Sequence, residues 1–197
     1  MKVDVPHKAV SEKRGCLACH AKHTAENKKL LSAKEENLCF SCHKETRQAK
    51  QTIRSHQPFS AGTCSACHNS HGSNFYAMLK TRQDMVCYKC HFEAEVKFLK
   101  TNTHKPVLDG NCADCHKSHG SNKEKLLPVV KDDTRLCVGC HAELMQAAEG
   151  GSNHEYFKNG KCLRCHDVHA SNFKGMLVNK QGFLCFSCHG TDPGQEI

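Results

Sequence analysis

Sixteen cysteines stand out in this sequence of 197 residues, and all of them fall into pairs spaced as Cys-x-x-Cys. A histidine follows each pair directly. The eight motifs are Cys16–Cys19–His20, Cys39–Cys42–His43, Cys64–Cys67–His68, Cys87–Cys90–His91, Cys112–Cys115–His116, Cys137–Cys140–His141, Cys162–Cys165–His166 and Cys185–Cys188–His189. Two thiols at this spacing can form thioethers with a porphyrin, and the adjacent histidine is then held as the proximal ligand of the iron. The pattern predicts eight covalently bound haem c groups.

Zinc binding and disulfide bonding are the alternatives for cysteines at this density. Structural zinc sites can be built from paired cysteines, four to a metal, and do not require a trailing histidine. Disulfides within each pair would leave the eight histidines unexplained as well. The histidine after every pair therefore favours haem attachment over both alternatives.

Eight histidines remain once the motif histidines have been assigned. They are His7, His23, His56, His71, His104, His119, His154 and His169. One spare histidine per haem is the number needed for two histidine ligands on every iron, so we predict these eight as distal ligands. Met78 and Met176 occupy a position that holds Leu30 and Leu126 elsewhere. Because leucine is accepted there, this position is expected to pack rather than to bind iron.

The motifs repeat along the chain at intervals of 48 or 50 residues. Four two-haem repeats are predicted at 1–49, 50–97, 98–147 and 148–197, forming one continuous domain. Each repeat has a leading motif (beginning at Cys16, Cys64, Cys112 or Cys162) and a trailing motif (beginning at Cys39, Cys87, Cys137 or Cys185). An upstream histidine (His7, His56, His104 or His154) precedes the leading motif, and a bridging histidine (His23, His71, His119 or His169) follows it.

The bridging histidine lies three residues after a proximal histidine, and residues at this spacing share one face of a helix. It therefore cannot reach the opposite side of the haem that this proximal histidine holds. We expect the bridging histidines to bind the trailing haem of their own repeat, and the upstream histidines to bind the leading haem. Ligation across repeats is the alternative.

The side chains alone are too polar to build an ordinary core, since Leu, Val, Phe and Ile make up only about 18% of the chain. The fold is expected to be mostly irregular, with short α-helices wrapped around a chain of eight haems and little or no β-sheet. Good helix formers after the trailing motifs predict helices from His91 and His141. Pro58, Pro106, Gly150–Gly151 and Gly160 are expected to punctuate the links.

The formal charge of +8 would become about −8 if all sixteen propionates of eight haems ionised. We therefore expect the lysines to neutralise propionates and shape docking faces, and expect no nucleic-acid binding. Covalent haem attachment takes place after export, so the location should be periplasmic or extracellular, with a signal peptide removed. No apolar run reaches the roughly 18 residues of a membrane span, so no direct span is expected.

The unit Cys-x-x-Cys-His-x-x-His-Gly-Ser-Asn, followed by a second Cys-x-x-Cys-His, resembles the paired (doubled) CXXCH multihaem c-type cytochromes over nearly the whole chain. Val5-Pro6-His7-Lys8-Ala9 is also similar to the opening of the small cytochrome c7 family. The resemblance implies electron transfer in anaerobic or extracellular respiration. The haem count and chain length further resemble the periplasmic octahaem subunit of outer-membrane porin–cytochrome conduits.

We therefore expect an electron-transfer protein rather than an enzyme, with closely spaced low-potential haems passing electrons between redox partners. Those partners would be other cytochromes, an outer-membrane porin or a quinol-oxidising complex. One alternative is a subunit of an extracellular haem filament, because quasi-repeats can stack end to end. A further alternative is an octahaem enzyme acting on nitrogen compounds, which would need an iron with a vacant site.

Overall fold

The computed structural model describes residues 3–128, 134–148 and 154–190. Within these ranges the secondary structure is short. The α-helices are α1 (Lys8–Ser11), α2 (Glu35–Cys42), α3 (Lys44–Arg47), α4 (Gln57–Ser60), α5 (Gln83–Tyr88), α6 (Phe92–Phe98), α7 (Lys105–Leu108), α8 (Thr134–Val138), α9 (Ala142–Ala148), α10 (Glu155–Lys158) and α11 (Gln181–His189). The 3₁₀ helices are Gly15–Ala18, Lys28–Leu30, Gln48–Gln51, Cys64–Ala66, Tyr76–Met78, Cys112–Asp114, Glu124–Leu126, Cys162–Arg164 and Lys174–Met176.

The sheet consists of two-residue strands in antiparallel pairs. The strands are β1 (Val5–Pro6), β2 (Arg54–Ser55), β3 (Gly72–Ser73), β4 (Asn102–Thr103), β5 (Gly120–Ser121) and β6 (Ala170–Ser171). They pair as β1 with β3, β2 with β5 and β4 with β6. Each pair joins the segment before an upstream histidine to the segment after the bridging histidine of the next repeat. Short helices, irregular connections and little sheet confirm the expected fold class.

Helices α6 and α9 begin directly after the proximal histidines of two trailing motifs and have seven residues each, as the helix formers there predict. Pro58 and Pro106 do not interrupt links, because both lie in the first turn of a helix, α4 and α7. Proline suits the first turn, where its missing N–H has no partner to lose. Gly150–Gly151 lie outside the described residues.

The polypeptide buries little apolar surface of its own. Among the described residues only Phe40, Phe59 and Ala170 form a buried hydrophobic core. The rings of Phe40 and Phe59 meet edge to face with centroids 5.8 Å apart. Large apolar side chains such as Ile53 and Leu99 are 78% and 79% exposed. This is the expected state of a chain whose apolar surface packs against a bound group instead of against itself.

The chain divides into two compact units. One comprises Met1–Cys87 and Cys112–Val129, and the other comprises Tyr88–Asn111 and Val130–Ile197. The division into four repeats at the boundaries given above stays a prediction. Among the described residues, no helix has the length and apolar character needed to cross a bilayer.

Candidate functional site

The leading motifs lie on 3₁₀ turns that bring their two cysteines and their histidine together. In each of them the backbone N–H of the proximal histidine donates to the carbonyl of the first cysteine. The bonds run from His20 to Cys16, His68 to Cys64, His116 to Cys112 and His166 to Cys162, at 2.9–3.0 Å. Such a closed turn lets both thiols and the imidazole reach the same bound group.

The trailing motifs begin inside α-helices, and the proximal histidine follows at or near the helix end. Cys39 and Cys42 belong to α2, whose last turn closes with the N–H of His43 donating to the carbonyl of Cys39 at 2.9 Å. Beside the Cys90–His91 motif, a cleft of about 490 Å³ is lined by Phe98 and His169 among others. Such a volume is typical of a site for a sizeable ligand.

A backbone carbonyl fixes the tautomer of each proximal histidine in the leading motifs. The Nδ1 atoms of His20, His68, His116 and His166 lie 2.9, 2.9, 2.7 and 2.9 Å from the carbonyl oxygens of Lys29, Ala77, Lys125 and Gly175. Because a carbonyl oxygen can only accept, Nδ1 must carry the proton. The lone pair of Nε2 is then available to a metal, as is usual for metal-binding histidines.

These carbonyls belong to turns in a left-handed conformation. Lys29, Ala77, Lys125 and Gly175 have φ of 59, 52, 53 and 66°. The following residues Leu30, Met78, Leu126 and Met176 have φ of 54–55°. A non-glycine residue in this region costs on the order of 1–3 kcal/mol. The position predicted to pack is therefore also part of a strained turn that orients an imidazole.

The distal histidines meet proximal ones at a characteristic separation. The ring centroids are 6.2 Å apart for His7 and His43, 6.1 Å for His20 and His71, 6.1 Å for His68 and His119, 6.1 Å for His104 and His141, and 5.9 Å for His154 and His189. A metal–nitrogen bond of about 2.0 Å, with roughly 1.1 Å from nitrogen to ring centre, would place two axial imidazoles about 6.2 Å apart. The pairs therefore fit a haem iron bound from both sides.

The pairing expected within each repeat is wrong. His7, His104 and His154 face the proximal histidine of the trailing motif of their own repeat, and not that of the leading motif. His71 and His119 face the leading motif of the preceding repeat. The three-residue spacing correctly excluded the haem of the neighbouring proximal histidine. It could not show that the next repeat folds back over the leading motif.

His23 does not take the role expected for it either, because His7 already faces His43. It is exposed, and within the described residues it has neither a hydrogen bond nor a ring contact. His56 and His169 each make contacts with groups other than histidine. Nδ1 of His56 lies 2.9 Å from the carbonyl oxygen of Ser118, and the ring of His169 lies 4.4 Å from that of Phe98.

Burial lowers the pKa of His119, and neighbouring His68 and His56 lower it further. The neutral imidazole, which is the form that binds iron, is thereby favoured at this position.

Cysteines of consecutive repeats lie next to each other. Burial raises the pKa of the Cys39 thiol to about 12, and adjacent Cys64 contributes through charge and a hydrogen bond. A hydrogen bond to Cys112, together with burial, raises the pKa of Cys87 in the same way. A trailing motif therefore adjoins the leading motif of the next repeat, so groups attached there would be close neighbours.

Two kinds of supporting residue escaped the sequence reasoning. Residue type does not indicate which backbone carbonyls accept from the proximal histidines. These carbonyls nevertheless all lie nine residues after their histidine, at Lys29, Ala77, Lys125 and Gly175. The Glu35 carboxylate accepts hydrogen bonds from the backbone N–H and the hydroxyl of Ser65. Its repeat position recurs as Gln83, whose amide oxygen accepts from the N–H of Ala113.

The family model for the doubled CXXCH motif matches the chain four times, at residues 7–48, 56–96, 104–146 and 154–194. A search of curated proteins gave no significant match. The four matches together span most of the sequence and contain every cysteine of the motifs. The chain therefore belongs to the doubled CXXCH family, and it is a multihaem c-type cytochrome that binds haem c and serves in electron transfer.

Proposed function

We propose that the protein carries eight haem c groups and passes electrons along them between redox partners, without transforming a substrate. The proposal rests above all on the five histidine pairs with ring centroids 5.9–6.2 Å apart. Each haem iron, when bound, supplies one-electron reduction and oxidation. Two imidazoles on the irons of these five pairs would leave no position there for a substrate.

The protein's own residues hold the axial ligands in place. Carbonyls of the left-handed turns keep Nδ1 of the leading histidines protonated, and the carbonyls of Ser70 and Ser118 do the same for His7 and His56. Ligands fixed in this way need not reorganise when charge moves. Histidine on both sides, without methionine, favours low potentials, because methionine ligation is what raises them.

Close contact between motifs of consecutive repeats supports transfer from one haem to the next. The adjacent Cys39 and Cys64 illustrate this contact, as do Cys87 and Cys112. We infer a periplasmic or extracellular role in anaerobic or extracellular respiration. Other cytochromes, an outer-membrane porin or a quinol-oxidising complex would be the partners.

The test combines haem counting with spectroscopy on the purified holoprotein. Intact mass should show eight attached haems, the oxidised spectrum should be dominated by low-spin iron, and a redox titration should show only low potentials. A mass with clearly fewer haems would contradict the proposal. So would a large population of five-coordinate iron.

Small-molecule reduction at one haem is the second candidate, and a single observation favours it. Within the described residues, no imidazole lies opposite His166. An iron held there would have a free position. Steady-state assays with nitrite and hydroxylamine would detect turnover, and we expect none above that of free haem.

A further inference from the structure

The contact between successive repeats, which we call the repeat junction, is built the same way three times. The backbone N–H groups of upstream His7, His56 and His104 donate to the carbonyls of bridging His71, His119 and His169, at 3.4, 3.2 and 2.9 Å. The strand pairs β1–β3, β2–β5 and β4–β6 flank these bonds. One junction geometry therefore serves very different neighbouring sequences.

The repeat junction also delivers an iron ligand. Through it, bridging His71 reaches a position opposite His20, and bridging His119 reaches a position opposite His68. Nδ1 of the upstream histidine bonds the carbonyl of the residue before the bridging histidine, as His7 does with Ser70 at 2.8 Å. A leading haem thus receives its second histidine from the following repeat.

Within the described residues, the first and fourth repeats each carry one half of a repeat junction that is not joined to another repeat. In the fourth repeat His154 is exposed, and its Nδ1 only accepts a weak bond from the N–H of Tyr156 at 3.3 Å. Gly175 orients His166, but no imidazole faces it. In the first repeat the bridging histidine, His23, is exposed and unbonded.

Two further positions show the same pattern of missing partners. Val10 is 43% exposed, whereas Phe59 at the equivalent place in the second repeat is 8% exposed and packs against Phe40 of the preceding repeat. Gln181 is exposed, whereas Glu35 and Gln83 at its repeat position bind the leading motif of the following repeat. The first and fourth repeats thus present complementary halves of one contact.

We propose that His23 of one copy of this chain binds the iron of the haem on Cys162 and Cys165 of a second copy, through an intermolecular repeat junction. The inference rests on the proposed function, since it requires a haem at that motif. The N–H and Nδ1 of His154 donate to the carbonyls of His23 and Lys22 of the second copy. Gln181 binds the 3₁₀ turn Gly15–Ala18. The contact joins two different surfaces, so it can recur from copy to copy.

The intermolecular junction is weaker than the internal ones. Internally, the amide oxygens of Asn74, Asn122 and Asn172 accept backbone N–H groups of the opposing segment at 2.9–3.2 Å. Glu26 stands at that position in the first repeat, and Thr24 and Ala25 replace the Gly-Ser pair. The imidazole ligand and the main-chain bonds remain, while the supporting side-chain bonds are lost. Association is therefore reversible and depends on concentration.

The experiment measures carbon monoxide binding and sedimentation of the reduced holoprotein over a range of concentrations. We expect the haem on Cys162 and Cys165 to bind carbon monoxide when the protein is dilute and monomeric, and the total amount bound to fall by up to one haem per chain as larger species form. His23→Ala should keep eight haems, remain monomeric, and bind the same amount of carbon monoxide at every concentration. Added imidazole should make that haem low-spin without restoring association.

Two further variants separate ligation from docking. Gln181→Ala should weaken association several-fold without changing the spectrum of the dilute monomer. Lys80→Ala, an exposed change in the second repeat away from the proposed contact, should behave as the unaltered protein.

Some outcomes would overturn the inference while leaving the proposed function intact. Eight six-coordinate haems in a dilute monomer would mean that His166 finds its partner within its own chain. A monomer at all concentrations with one reactive haem would exclude the second copy as donor, and so would unchanged association of His23→Ala. Fewer than eight haems would instead count against the proposed function.

Discussion

At the scale of single residues, the chemistry of the site was visible in the sequence but its pairing was not. The cysteine and histidine types and their spacing identify the attachment motifs and the set of spare histidines. Which histidine faces which depends on strand pairs of two residues, such as Pro6 with Gly72. A Cβ on Gly72, whose φ is 126°, would lie 2.9 Å from Cα of Pro6. Such close backbone approach has no signature in residue spacing alone.

Replacing His71 with alanine tests ligation across repeats. His71→Ala should add one carbon monoxide-binding haem, because His20 loses the imidazole opposite it. Combining this change with Cys16→Ser and Cys19→Ser should remove that extra signal together with one haem. Carbon monoxide titration with intact mass measures both. If the extra signal survived in the triple variant, His71 would serve a different haem.

At the scale of elements, the left-handed turn after each leading motif connects local strain to ligand orientation. Glycine occupies the first turn position only in the fourth repeat, as Gly175, whereas lysine or alanine stands there in the others. The repeat alignment alone could predict a turn at this constant spacing. It could not predict positive φ at lysine and alanine, because these residues ordinarily avoid it.

Opposite substitutions at this turn should have opposite effects on stability. Ala77→Gly should raise the free energy of unfolding by about 1 kcal/mol, since glycine adopts φ of 52° without steric cost. Gly175→Ala should lower it by about 1 kcal/mol for the same reason. Denaturant unfolding followed by circular dichroism measures both. Ala94→Gly, in right-handed helix α6, is the control and should destabilise.

A buried carboxylate stabilises the helix of the second trailing motif. Asp84 accepts hydrogen bonds from Nε of Arg82 at 2.7 Å and from its neighbour's backbone N–H, that of Met85, at 2.8 Å. The Arg82 hydrogen bonds hold the pKa of Asp84 below its usual 3.8. The contribution is therefore complete above pH 3.8 and is lost as pH falls through the lower folded-state pKa.

Asp84→Asn should lower the free energy of unfolding at neutral pH by about 1–3 kcal/mol, because a buried charged hydrogen bond is lost. The difference from the unaltered protein should shrink below pH 3.8. Denaturant titrations at several pH values measure it, with exposed Asp114→Asn as the matched control. A difference that persisted undiminished at low pH would show that the carboxylate charge is not responsible.

At the scale of the whole molecule, the sequence correctly indicated that the side chains cannot supply a core. The low aliphatic content agrees with the small number of buried apolar residues among the described ones, which are Phe40, Phe59 and Ala170. The fold class followed from the same composition. The small strands that fasten one repeat to the next could not be predicted, because two residues are too short for any periodic pattern.

The chain without haem should therefore be unfolded. Expression in a host without haem-attachment machinery should give a polypeptide with little helical circular dichroism and no cooperative unfolding, since the apolar surface it can bury is small. The holoprotein, measured under the same conditions, is the control. A cooperative transition in the haem-free chain would show that the polypeptide has a sufficient core of its own.

The repeat junction has a consequence for how such chains can change in length. Because bridging His71 and His119 each lie opposite the proximal histidine of the preceding repeat's leading motif, duplicating one segment of about 48 residues would add two attachment motifs and one new repeat junction without altering the existing ones. However many segments are added, the bridging histidine of the first repeat would still lack a facing motif, and the leading motif of the last repeat would still lack a facing histidine. Growth of the gene by tandem duplication would thus preserve the same pair of unsatisfied groups at every length.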